Sequence, residues 1–176
     1  LPDDEQAHMP SLNLDAERVL PCLLERLTDH YPQARKESRE HRTLSLRRYR
    51  ESVLRDLEWL LNCEAHPRPE EFAGLERVQA SVVNYGVRSL TGAWLSAHEP
   101  GDVELLVREA VLRFEPRIVP ETLTVRVIPE EKEGEHTANT LTLEILGQLW
   151  AEPMPEQLYI RTELDLETGA CGVQRR

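Results

Sequence analysis

The hydrophobic period of this chain changes once, near Pro120. Ahead of it, apolar residues recur every three or four positions. Leu46, Tyr49, Val53, Leu57 and Leu60 form one such stripe, and Val103, Leu106, Val107, Ala110 and Phe114 form another. Beyond it the period is two. Leu123, Val125 and Val127 alternate with Thr122, Thr124 and Arg126, and Leu141, Leu143 and Ile145 alternate with Thr142 and Glu144. Helices followed by strands, without βαβ alternation, predict an α+β fold in which N-terminal helices pack on a small antiparallel sheet of about three strands.

Local signals sharpen these elements. A helix is predicted from about Ser45 to Leu61, capped by Ser45 and stopped at Asn62. Pro67 and Pro69 break the chain into a connector. Leu75, Val78, Val82 and Tyr85 predict a second helix closed by Gly86. Asp102 is the expected cap of a third, which ends before Pro116. The charged stretch 129–137, with Gly134, reads as a hairpin loop, and a last strand is expected over about Gln157 to Leu166. The division expected is a polar arm over 1–43 with one short helix around Val19 to Leu27, a single α+β domain over 44–168 and a tail over 169–176.

Charge and cysteine usage narrow the function. The chain has 176 residues and a net charge of −11, which argues against sequence-independent binding to phosphate backbones. Between Arg35 and Arg50 seven basic residues meet two acids, so this segment carries +5 and the remainder −16. Arg39 and Arg42 lie within it. Segregated charge suits a docking surface for an acidic partner, and a solvated charged face is the alternative. Cys22, Cys63 and Cys171 are odd in number and lack CxxC spacing, as expected of free thiols in a reducing compartment. Asp3, Asp4 and Glu5 stand where a signal peptide would be basic and then apolar, and no apolar run reaches 18 residues. A cytoplasmic protein is expected.

No catalytic motif stands out. The six histidines are scattered singly, which offers no zinc-ligand spacing, and HExxH, P-loop, GxGxxG and GxSxG patterns are absent. Cys63 and His66 are close in sequence, but inside a proline-rich connector. Glu163, Asp165 and Glu167 alternate with Leu164 and Leu166, which fits the wet face of a half-buried sheet better than a pair of glycosidase carboxylates across a cleft. No cofactor and no metal are expected.

Three stretches carry a resemblance. They are Ser52-Val-Leu-Arg-Asp-Leu-Glu-Trp-Leu-Leu-Asn62, Ser81-Val-Val-Asn-Tyr-Gly86 with Thr91-Gly92 after it, and Phe114-Glu115-Pro116-Arg117. In order and spacing they resemble TssE, the baseplate subunit family of type VI secretion, and more distantly the wedge protein of contractile phage tails. The third stretch matches that family's EPR motif, and Tyr159 to Glu167 is similar to its closing strand. The departure is Val87-Arg88-Ser89, where the family pattern has a proline and an acid.

The resemblance implies a non-enzymatic cytoplasmic scaffold. It would join the subunits TssF and TssG, with TssK as a further partner, and present a sheet from which the contractile sheath starts by strand addition. Neither nucleic acid nor membrane insertion is implied. The lysozyme label of the related phage protein is not carried over. A peptidoglycan hydrolase and a generic adaptor are the competing readings. The expected partner-binding residues are Glu115, Pro116, Arg117, Arg39, Arg42 and, on the closing strand, Leu158, Ile160 and Thr162. For Glu115 and Arg117 an internal salt link at the helix-to-strand corner remains the alternative.

Overall fold

A computed structural model describes residues 18–29, 32–33, 43–66, 69–89, 99–128, 140–151 and 155–174. Arg39, Arg42 and the loop 129–137 lie outside the described residues, as does most of the turn before the last expected strand.

The chain opens with β1 (Arg18–Val19) and a short helix α1 (Leu23–Leu27), followed by β2 (Leu44–Ser45), which pairs antiparallel with β1. Helix α2 (Leu46–Leu61) starts where the sequence places it, because the Ser45 hydroxyl accepts from the Arg48 N–H, and it stops at Asn62. Its inward side carries Tyr49, Val53, Leu57 and Leu60 as expected, together with Ser52, Leu54 and Leu61.

The second predicted helix forms only in pieces. Residues Glu76–Gln79 make α3, and Val82–Asn84 make a 3₁₀ turn capped by Ser81. The Ser81 hydroxyl both donates to Val78 O and accepts from Val83 N, so it competes with helical continuation. Gly86 then adopts φ 125°, and a Cβ there would lie 2.2 Å from Cys63 O. That close approach lets Val87 N donate to Cys63 O while Ala65 N donates to Val87 O.

Helix α4 (Pro100–Phe114) begins three residues earlier than the Asp102 cap implied. Glu99 is the N-cap, and Asp102 sits three residues on, its carboxylate accepting from Glu99 N–H at 3.0 Å. After α4 a 3₁₀ turn over Pro120–Thr122 leads into the sheet.

Among the described residues the sheet has four antiparallel strands and not three: β3 (Thr124–Ile128), β4 (Thr140–Leu149), β5 (Glu156–Asp165) and β6 (Cys171–Gln174), in the order β3-β4-β5-β6. The addition is β6, which pairs with Arg161 to Leu164 and lies in the stretch expected as a tail. One face of the sheet (Val125, Leu143, Ile145, Leu158, Ile160 and Leu164) joins the buried residues of α2 and α4 in a single core. Thr124, Arg126, Glu144, Arg161 and Glu163 occupy the opposite face, as the period of two requires.

Candidate functional site

The EPR stretch sits where α4 gives way to the sheet. Glu115 is the C-cap of α4, and although ionisable it is only 4% exposed. Burying a carboxylate is costly unless it is paired, and here the pairing is complete. Arg117 Nε donates to Glu115 Oε1 at 2.6 Å and Nη2 donates to Oε2 at 2.5 Å, a fork-to-fork geometry. The backbone N–H of Arg117 also donates to Oε1, at 3.2 Å. Pro116 occupies the exposed tip between them.

The guanidinium has two further partners on α2. Nη1 donates to Ser52 Oγ at 3.1 Å, and Nη2 donates to Asp56 Oδ2 at 2.5 Å. Ser52 and Asp56 are four residues apart, on one helical face. Burial opposes the charge of Arg117, but the Glu115 and Asp56 carboxylates outweigh it and raise the guanidinium pKa above its ordinary value. Asp56 also accepts from Arg55, whose Nη2 donates to Glu25 Oε1 at 2.7 Å. Five alternating charges (Glu25, Arg55, Asp56, Arg117, Glu115) therefore tie α1, α2 and the end of α4 together.

Backbone contacts complete the corner. Trp150 N donates to Arg117 O at 2.8 Å and Val119 N to Gln148 O at 2.8 Å, which locks the EPR turn to the end of β4. Tyr49 OH donates to Trp150 O at 3.0 Å, and burial pushes its phenol pKa up, which keeps the donor proton in place. The Tyr85 ring meets Phe114 edge-on at 5.2 Å.

These positions place the expected site residues. Glu115 and Arg117, expected to face a partner or to form an internal salt link at the corner, face each other and α2. Leu158 and Ile160 are 1% and 0% exposed and belong to the core, so their side chains meet helices. Thr162, expected at an open edge, is fully buried in an inner strand between Leu143 of β4 and Val173 of β6, with its hydroxyl donating to Gly172 O. Ser52 and Asp56 were missed as members of the corner. Their signal was a small hydroxyl and a carboxylate at i and i+4 beside the apolar stripe of α2.

The remaining candidates offer little chemistry. Cys63 Sγ points to Tyr85 O at 3.5 Å, while the His66 ring packs on Phe72 with centroids 4.5 Å apart. A cleft of about 250 Å³ between α4 and the connector has a single carboxylate, Glu109, among its lining residues. Among the described residues no group of three or more His, Cys, Asp and Glu could hold a metal ion, and no helix is long and apolar enough to cross a membrane.

The EPR turn, α4 and all but the first residue of α2 fall inside a stretch, residues 47–154, that matches the family of baseplate wedge protein gp25. The chain belongs to this family. It is the family of TssE, so the resemblance in the three sequence stretches and the family match agree, and a structural role in a baseplate follows. The match stops before β5, so the last two strands lie outside it. No curated protein and no solved structure shows significant similarity to the chain.

Proposed function

We propose that this wedge protein is a non-enzymatic, cytoplasmic subunit of a type VI secretion baseplate. It joins TssF and TssG, with TssK as a further neighbour, and starts the contractile sheath by adding a strand to its sheet. The observation that carries the reading is the family match over residues 47–154, which contains the EPR corner. The physics supports it. A scaffold needs elements held at fixed angles, and the Arg117 network together with the Trp150 and Val119 ladder bonds makes the helix-to-sheet corner rigid. Glycoside hydrolysis requires two carboxylates across a cleft, and the cleft beside α4 contributes one.

The basic segment from Arg35 to Arg50, with Arg39 and Arg42, is assigned to an acidic surface of a partner. Coexpression with TssF, TssG and sheath subunits, followed by affinity purification through this chain, tests the reading. Stoichiometric recovery of wedge subunits is expected. Clearing of peptidoglycan by the purified protein that vanishes on replacing one particular Glu or Asp would replace it with the hydrolase reading.

A further inference from the structure

The connector between α2 and α4 has little regular structure, yet its polar groups converge on one place. Asn84 Nδ2 donates to Gln79 O at 3.0 Å, and Asn84 Oδ1 accepts from His66 N–H at 3.3 Å. Gly86, at φ 125°, brings Val87 against the residues after α2, where Glu64 and Val87 form a parallel bridge. These bonds fix residues that line the cleft of about 250 Å³ beside α4. A cleft whose walls are set before anything binds is cheaper to fill than one that must first be ordered.

Size and lining select what can fill it. Sites for whole small molecules enclose roughly 300 to 1,000 Å³, so this cleft suits one large side chain delivered by a longer chain. Its apolar lining is Phe72, Val87, Leu106, Ala110 and Phe114, and the His66 ring lies with them. Rings in the wall offer edge and face contacts to another ring, which favours an aromatic anchor over an aliphatic one. Val82 and Val83, directly before Asn84 in the chain, are 83% and 64% exposed. A partner protein can cover this apolar tip as well as the cleft, whereas a small molecule cannot. Arg88 and Arg113 also line the cleft, against one carboxylate, Glu109. Arg113 Nη1 donates to a backbone carbonyl, Gln79 O, at 3.3 Å. Among the described residues neither arginine is held in an ion pair. Both guanidinium groups are therefore open to carboxylates of an incoming chain.

We propose that this cleft receives an acidic segment of another protein, which buries one aromatic side chain against Phe72 and Phe114 while flanking carboxylates meet Arg88 and Arg113. The site uses neither the Arg117 network nor the sheet, and it stands apart from the assembly reading, so failed copurification with wedge subunits leaves it untouched. A second copy of this chain is disfavoured as occupant, because each copy brings a net charge of −11 to the contact.

Magnetic resonance titration of the full chain with a capped pentapeptide, a tryptophan between two pairs of aspartates, tests this. Saturable shifts are expected at the Asn84 side-chain amide and at the backbone amides of Val87, Ala110 and Phe114, with millimolar peptide or less. Replacing the tryptophan by alanine should weaken binding at least about tenfold, as loss of a buried anchor does. Replacing the aspartates by lysines should weaken it at least about fivefold at low salt. The double variant Arg88→Glu, Arg113→Glu should melt near the wild type, since both side chains are exposed, and should prefer the lysine peptide. Arg88→Glu alone provides the same direction of change if losing the Arg113 bond to Gln79 loosens the wall. Absence of shifts at the four positions overturns the site. Equal binding of the aspartate and lysine peptides, or unchanged binding by the double variant, overturns the acidic occupant. Shifts at the same positions that grow with protein concentration in the absence of peptide assign the cleft to a second copy and overturn a foreign segment.

Discussion

Arg117 joins two helices through one planar group: Glu115 at the end of α4, and Ser52 and Asp56 on α2. A lysine at this position could supply a charge but not the fork, since one ammonium cannot meet both Glu115 oxygens in parallel and reach α2 as well. Because Glu115 is almost fully buried, losing its partner leaves an unpaired carboxylate in the core. Removing one partner of a buried pair costs on the order of 3 to 5 kcal/mol, a large share of the about 5 to 15 kcal/mol that holds a domain together. Arg117→Ala is therefore expected to lower stability by about 3 to 5 kcal/mol in chemical denaturation, with Arg117→Lys recovering only part of the loss. Glu115→Ala, which removes the buried charge itself, should cost less than Arg117→Ala. An isolated Arg117→Ala variant that melts like the wild type would instead show that the residue serves a partner. Only part of this is legible in the tripeptide alone. Glu115 and Arg117 are visible as a candidate pair, but their partners Ser52 and Asp56 lie 65 and 61 residues earlier in the chain.

At the scale of elements, the β5–β6 hairpin depends on one titrating residue. Asp165 Oδ1 accepts from Glu167 N–H at 2.8 Å and Thr168 N–H at 3.0 Å, and the turn closes with Gly169 at φ 73°. Those two backbone donors hold the Asp165 pKa below its ordinary value. A depressed carboxylate pKa favours the folded turn while the group is ionised, so its contribution is present above about pH 4 and is lost as the pH falls below that. Exchange at the Glu167 and Thr168 amides is expected to speed up on acidification below about pH 4, and Asp165→Asn, which retains an acceptor oxygen, should remove this dependence. Equal acid sensitivity in Asp165→Asn would place the titrating group elsewhere. The same hairpin marks the limit of what periodicity reveals. The long helices α2 and α4 and the strands β3 to β5 each show several turns or alternations. By contrast β6 offers Cys-Gly-Val-Gln, four residues with a glycine, too short to establish a period. Missing it turned β5 from an inner strand into an apparent edge. The second helix failed for the opposite reason: its apolar spacing was helical, but Ser81 and the close approach at Gly86 overrode it.

Over the whole molecule, charge is distributed in a way that packing does not explain. The segment Arg35 to Arg50 is +5 in a chain whose remainder is −16, and its described part begins α2. There Arg47 pairs with Glu51 at 3.0 Å, with side chains 88% and 50% exposed, so this link contributes little to the fold. If the segment were only a solvated face, reversing its charges would leave assembly untouched. If it meets an acidic surface, the attraction acts across solvent before contact and is screened beyond about 10 Å at 0.1 M salt. Rim charges of this kind govern association rate more than residence time. Reversing both Arg39 and Arg42 to Glu is therefore expected to reduce copurification with wedge subunits strongly at low ionic strength and weakly at high, with the isolated protein melting as before. The pattern separates this effect from damage to the Arg117 corner, which would lower stability in the isolated chain whatever the partner. Recovery equal to wild type at both salt concentrations would assign Arg39 and Arg42 to solvent and move the partner surface elsewhere on the molecule.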